Sequence, residues 1–202
     1  MRWAHLAGPA EGADIGYFFP APVRLYGLRE ARSGAWNGDT RPVSRNYLTL
    51  WLSHGTNPAG ATYSYVLLPG LSAAQVSDYA KHPRVEILEN SDRRQAVRVD
   101  SLGLTAANFW SDQRSTIGIM TVDRMASVLV QKKEAFLDVA VSDPTQINDT
   151  IIKMELAVPA LKLVRADPGV AVDQLSPTIR LTFHVAGAAG QTFHARFLTS
   201  VP

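Results

Sequence analysis

Apolar and polar positions along much of this chain repeat with a period of two, the spacing of half-buried β-strands. Leu137, Val139 and Val141 alternate with Asp138 and Ala140. Ile179, Leu181, Phe183 and Val185 alternate with Arg180, Thr182 and His184, and Phe193, Ala195 and Phe197 alternate with His194 and Arg196. Gly187-Ala188-Ala189-Gly190 lies between the last two sets and predicts a turn that joins them as partner strands. Asp143-Pro144-Thr145 and Asp167-Pro168-Gly169 are turn sequences, since Asp caps the backbone two residues on and Pro presets φ. Nearer the N-terminus, residues 15–19 and 23–32 read as two strands joined through Pro20-Ala21-Pro22, followed by a polar loop over 33–44.

The stretch 46–70 carries the densest pattern. Two aromatic and β-branched runs flank a segment rich in Gly, Asn and Pro, which predicts a β-hairpin with a medium-length loop. Tyr47, Thr49 and Trp51 fall on one face of its first strand, with Leu48, Leu50 and Leu52 on the other. Bulk on both faces predicts a strand covered on both sides. Ser72 and Gln75 then form a capping-box pair ahead of Val76, Tyr79 and Ala80, which predicts a short helix over 73–81, stopped by Pro83. The expected fold is all-β: antiparallel β-sandwich layers with one short helix between them. The expected domains are 1–82 and 83–202, the second a sandwich of short strands punctuated by turns.

Composition changes this picture little. The 202 residues are 46% hydrophobic and 19% charged, ordinary for a globular chain and enough to bury a core. With zero cysteines there is no disulfide framework and no thiolate metal site. A net charge of +2 and a pI near 9.0 are a mild basic bias, with Lys and Arg dispersed apart from Arg93-Arg94 and Lys132-Lys133. That excludes a nucleic-acid signature and suits an acidic polysaccharide partner. No apolar run is long enough to span a membrane, and residues 1–16 hold no apolar core of the signal-peptide type.

The same residues carry a family resemblance. Trp51-Leu52-Ser53-His54-Gly55 with Pro58, followed by Ala61-Thr62-Tyr63-Ser64-Tyr65-Val66-Leu67-Leu68-Pro69, resembles the hairpin of the central β-domain in the hyaluronate, chondroitin AC and xanthan lyases. Upstream, Ile15-Gly16-Tyr17 and the run from Arg29 through Arg32, Gly34 and Trp36 to Asn37 resemble the family's Gly-Tyr and Arg-x-Gly-x-Trp elements. Downstream, Ile87-Leu88-Glu89-Asn90, Gln95-Ala96-Val97 and Ala107-Asn108-Phe109-Trp110 resemble the start of its C-terminal sandwich. No one motif is specific, but the ordered set is. The resemblance implies that residues 1–82 end the central super-sandwich and that 83–202 form a smaller C-terminal sandwich. It also implies β-elimination on acidic polysaccharides, secretion of the parent enzyme, and a natural N-terminus elsewhere. In the family, an Asn, a His, a Tyr and an Arg in a helical toroid neutralise the uronate carboxylate, remove its neighbouring proton and protonate the leaving oxygen. This chain has no run of helices, so no catalytic residue carries over to it and no cofactor is called for.

Candidates within the chain have plainer readings beside them. His54 with Tyr63 or Tyr65 is a conceivable base–acid pair, but no partner is at hand to neutralise a carboxylate, and the tyrosines read as hairpin core. His184 and His194 are expected on the polar face of neighbouring strands near Arg196, without a third metal ligand. Asp138, Asp143 and Asp149 match no calcium loop, and Asn148-Asp149-Thr150 is a glycosylation triplet common by chance. The loop after residue 33 is the better binding candidate: Trp36 can stack on a sugar while Arg41 and Arg45 meet a carboxylate.

Three functions compete. The first is a non-catalytic β-portion of a polysaccharide lyase that braces the catalytic toroid of the same enzyme and walls its cleft. The second is a free-standing carbohydrate-binding module, which needs an exposed aromatic such as Trp3, Trp36 or Trp110. The third is a small lyase complete on a β-scaffold. The expected partners are acidic polysaccharide, held weakly, and the toroid, with no nucleic acid and no membrane; self-association follows if edges and apolar faces stay open.

Overall fold

The computed structural model describes residues 1–35, 37, 38 and 40–200. They fall into two compact units, Met1–Pro83 and Arg84–Pro202. The first holds β1 (Trp3–Leu6), β2 (Ile15–Phe18), β3 (Leu25–Gly34), β4 (Val43–Leu52), β5 (Val66–Pro69) and α1 (Ala73–Lys81). The second holds β6 (Glu86–Asn90), β7 (Arg94–Val99), β8 (Leu104–Phe109), β9 (Ser115–Ile117), β10 (Met120–Val122), β11 (Ala126–Lys133), β12 (Phe136–Ser142), β13 (Ile151–Leu156), β14 (Lys162–Ala166), β15 (Val170–Gln174), β16 (Ile179–His184) and β17 (Phe193–Leu198). The protein is nearly all-β, every strand pair is antiparallel, and α1 is its one α-helix among the described residues.

The helix forms where the sequence places it. The Ser72 hydroxyl accepts from the backbone N–H of Gln75, whose side-chain oxygen accepts in return from the N–H of Ser72. Its Val76 is wholly buried, and Tyr79 meets Phe18 edge-on at 5.5 Å. That face closes over a three-stranded sheet of order β1-β2-β5. Gly16 makes the approach possible, since a Cβ there would fall 2.3 Å from a Val76 methyl.

The rest of the first unit departs from expectation. No hairpin spans 46–70: β4 pairs with β3 over ten residues, from Leu25 opposite Leu52 to Gly34 opposite Val43, while β5 pairs with β2. Asn57, Gly55 and Gly60 turn the chain with positive φ after β4, but residues 61–65 beyond them form no strand against it. Strand β1 had no signature in the sequence pattern. Nor is β4 covered on both sides: within the described residues β3 and β4 form a two-stranded ribbon. Tyr47 is 49% exposed and Trp51 43%, and Leu48 on the other face is exposed too.

The second unit is a sandwich of a seven-stranded sheet, β14-β17-β12-β11-β8-β7-β6, and a five-stranded sheet, β15-β16-β13-β10-β9. Alternation does what the sequence implies. Phe109, Val128, Val139 and Phe197 point inward from the first sheet, Ile152, Met154, Leu181 and Phe183 from the second, and together they form one continuous core. The strands flanking Gly187–Gly190 are not partners, however. β16 pairs with β13 and β15, and β17 pairs with β12 and β14, so the connection crosses from one sheet to the other. Both strands bury alternate residues equally well, and period two does not say against which neighbour.

One buried charge punctuates the sandwich. Asp143 accepts from the backbone N–H and hydroxyl of Thr145, at 2.9 and 2.7 Å, and from the N–H of Asn148 at 2.8 Å. Burial raises its pKa, but the Thr145 hydroxyl and the N–H groups of Asn148, Thr145 and Ile147 outweigh that and hold the carboxyl below its ordinary value. A depressed carboxyl pKa stabilises the fold above the unfolded-state pKa, and the contribution fades as pH falls through the folded-state value. Replacing Asp143 by Ala is therefore expected to cost about 1–3 kcal/mol at neutral pH. The gap to wild type should narrow in acid. Denaturant melts of both proteins at neutral pH and at about pH 3, below the ordinary Asp value, measure it.

Candidate functional site

The β3–β4 ribbon gathers the chemistry of the first unit. Cross-strand partners share a face, so Tyr26 stands opposite Trp51, Glu30 opposite Tyr47 and Arg32 opposite Arg45. Tyr26 and Trp51 stack with centroids 5.7 Å apart and planes 15° apart, and the Arg24 guanidinium lies 5.3 Å from the Tyr26 centroid. Farther along the same face Arg32 sits 5.4 Å from the Tyr47 ring, pairs with Glu30 and reaches the Thr49 hydroxyl at 3.3 Å. Aromatic rings and guanidinium groups thus interleave toward the loop that joins the strands.

Of the sequence candidates, Arg41 lies in that loop, while Arg45 falls on β4 opposite Arg32. Arg45, at the start of β4, donates from a guanidinium nitrogen to the Ser44 carbonyl at 2.8 Å and stays exposed. Arg41 is exposed as well. Trp36 lies outside the described residues.

The opposite face of the ribbon, with Leu25, Leu48, Leu50 and Leu52, lines a cleft of about 410 Å³ with Tyr17 and Phe19. His54 and Tyr63 approach its mouth with rings 6.2 Å apart, and Tyr63 stacks on Tyr65 at 6.2 Å. Tyr63 is 62% exposed and Tyr65 48%, so neither is the core residue the sequence suggested. The reason is the absent hairpin: residues 61–65 form no strand against β4. Among the residues lining this cleft there is no Arg, Lys or Asn to meet a uronate carboxylate, so the His–Tyr pair has no complete proton-transfer group around it.

The histidines of the second unit separate. His184 lies on β16 of the five-stranded sheet and His194 on β17 of the seven-stranded one, against the expectation of neighbouring strands. The His194 ring nitrogen is 2.9 Å from Asp167, whose carboxylate also accepts the His194 backbone N–H; these bonds hold the Asp167 pKa below its ordinary value. Asp143 is occupied by its own loop, and no group of three or more His, Asp or Glu among the described residues is arranged to hold a metal ion. No helix is long and apolar enough to cross a membrane.

Fold and ribbon together define a two-unit β-sandwich protein with an exposed aromatic and cationic ribbon. Residues 1–80 match the super-sandwich domain of polysaccharide lyase family 8, and residues 86–152 match that family's C-terminal β-sandwich domain. The chain belongs to polysaccharide lyase family 8. A xanthan lyase of Bacillus sp. (strain GL1) is 47% identical over 206 residues, covering 98% of this chain and 22% of the relative. A hyaluronate lyase of Thermasporomyces composti is 34% identical over 200 residues, covering 96% of this chain and 25% of the relative. The solved Paenibacillus xanthan lyase superposes with a TM-score of 0.91 at 38% identity, over 99% of this chain and 20% of that one. The Streptomyces coelicolor chondroitin AC lyase, solved in complex with chondroitin sulphate, gives 0.82 at 36% identity over 98% and 26%. The chain spans about a fifth to a quarter of the length of these relatives.

Proposed function

We propose that this chain is the non-catalytic β-sandwich portion of a secreted polysaccharide lyase that cleaves acidic polysaccharides such as hyaluronate, chondroitin or xanthan by β-elimination. Residues 1–82 end the central super-sandwich and 83–202 form the C-terminal sandwich. The first unit braces a helical catalytic toroid and forms part of the substrate cleft, where Trp36, Arg41 and Arg45 contact the polymer. One observation carries the reading: the β3–β4 ribbon presents apolar, aromatic and cationic side chains in the open, with each strand paired only to the other among the described residues. Apolar surface left open on this scale marks an interface. The cations at its loop end suit a polyanion, as xanthan, hyaluronate and chondroitin sulphate all are.

The chain by itself is expected to show no turnover of hyaluronate, chondroitin or xanthan when the absorbance of the unsaturated uronide product is followed. Among the described residues it holds one nine-residue α-helix, and no Arg, Lys or Asn lines the cleft that His54 and Tyr63 share. Turnover that vanishes in a His54→Ala or Tyr63→Phe variant would overturn the proposal in favour of a compact β-scaffold lyase.

Binding of acidic polysaccharide should survive without turnover and weaken with salt, most strongly toward about 1 M, where the screening length is about 3 Å. The double variant Arg41→Ala/Arg45→Ala should lose roughly fivefold in affinity at low salt, about 1 kcal/mol. Retained affinity in that variant removes the loop from the site.

The open ribbon also favours self-association of the isolated chain. Sedimentation over a wide concentration range should show a rising average mass, and Leu48→Glu should shift the distribution toward monomer. A single monomeric species at every concentration contradicts this.

A further inference from the structure

The outer face of the seven-stranded sheet carries an arrangement that the lyase reading does not use. Register sets five polar side chains in one line across the strands. Gln95 of β7 stands opposite Asn108 of β8, Asn108 opposite Ser127 of β11, and Ser127 opposite Ser142 of β12; Thr192 extends the line, just before the Phe193–Val141 pair. Two residues along, Val97, Ala106, Leu129 and Ala140 form a parallel apolar row that ends at His194 of β17. Four interstrand spacings make each row about 19 Å long. A depression of about 540 Å³ lies over the two rows.

Trp110 stands at one end, 40% exposed. Its indole N–H donates to the side-chain oxygen of Gln95, and the Gln95 amide nitrogen donates to the Ser91 carbonyl. These bonds fix the ring beside the polar row while much of its surface stays in solvent. Ser127 donates to the Asn108 side-chain oxygen at 2.7 Å. The Asn108 amide nitrogen and the hydroxyls of Ser142 and Thr192 make no hydrogen bond among the described residues. The one ionisable side chain within the two rows, His194, pairs with Asp167 at 2.9 Å, and Arg196 farther along β17 pairs with Asp138 at 2.8 Å. The outer face of the other sheet differs in kind, with Arg114, Glu155 and Arg180 in a network of ion pairs.

Free groups at Asn108, Ser142 and Thr192 along one polar line, small apolar side chains beside it and one anchored indole match the two surfaces of a sugar ring, its hydroxyl edge and its C–H face. Within the rows no charge is left unpaired. We propose that this face is a second glycan site, taking an uncharged, extended, β-linked hexose chain that runs across the strands from Trp110 toward Thr192. It is independent of the Arg41 and Arg45 loop, because that site depends on charge and this one does not.

The test is titration of cellohexaose into the full 202-residue chain, read by amide NMR shifts and by calorimetry. Shifts are expected at the strand positions of the two rows, with an affinity indifferent to salt and to Arg41→Ala/Arg45→Ala. Trp110→Ala should weaken binding about tenfold. Ala140→Arg, which sets a long side chain into the apolar row from the solvent side, should abolish it without touching the core. Absence of shifts in these rows at saturating sugar, affinity unchanged in both variants, or affinity that falls with salt would each overturn the proposal. Loss of acidic-polysaccharide binding with cellohexaose binding intact would remove the loop site alone.

Discussion

Burial between two sheets fixes everything else in the second unit. Side chains alternate with period two, so a slip of one residue in any strand would carry its whole inward set into solvent. Phe109, Val128, Val139 and Phe197 facing Ile152, Met154, Leu181 and Phe183 make that slip prohibitive. The outward set is therefore held to one register as firmly as the inward one. The polar line from Gln95 to Thr192 exists because the core behind it allows no other alignment. A packing constraint on one side of a sheet becomes a patterned surface on the other.

The first unit shows what happens where such a constraint is met only in part. Its three-stranded sheet has α1 above it, close enough that Gly16 must lack a side chain opposite Val76. The β3–β4 ribbon has no layer of its own among the described residues, although it carries leucines on one face and aromatic rings on the other. Cross-strand stacking of Tyr26 on Trp51 and the Arg32–Tyr47 contact order its side chains locally. Such pairs are worth a fraction of a kcal/mol to about 1 kcal/mol each, far less than a buried core supplies.

What the sequence disclosed follows from the range of the interactions. The helix was legible to the residue because a capping box is local: Ser72 and Gln75 are three apart and need no other part of the chain. In the second unit β12, β16 and β17 were legible from alternation alone. Partner choice was not. Period two says which side of a strand is buried, but not which strand lies beside it, so β4 was matched to the wrong neighbour and β16 and β17 were joined in one sheet. The same limit hid the polar line, whose five members are spread from residue 95 to residue 192 and meet only through register. Arg41 and Arg45, at the loop end of the ribbon, were visible because they sit close together in sequence.

The place of β17 has a consequence for how the second unit comes into being. This strand lies between β12 and β14, inside the seven-stranded sheet, and its Arg196 pairs with Asp138 some 58 positions earlier. During synthesis β6 to β8, β11 and β12 can zip together as successive neighbours, each closing a short loop. β14 cannot join them, since its partner in that sheet is made about thirty residues later. The sandwich therefore stays open on one flank until residues 193–198 clear the ribosome. Until then the free edge of β12 is exposed to chaperones and to mispairing alike.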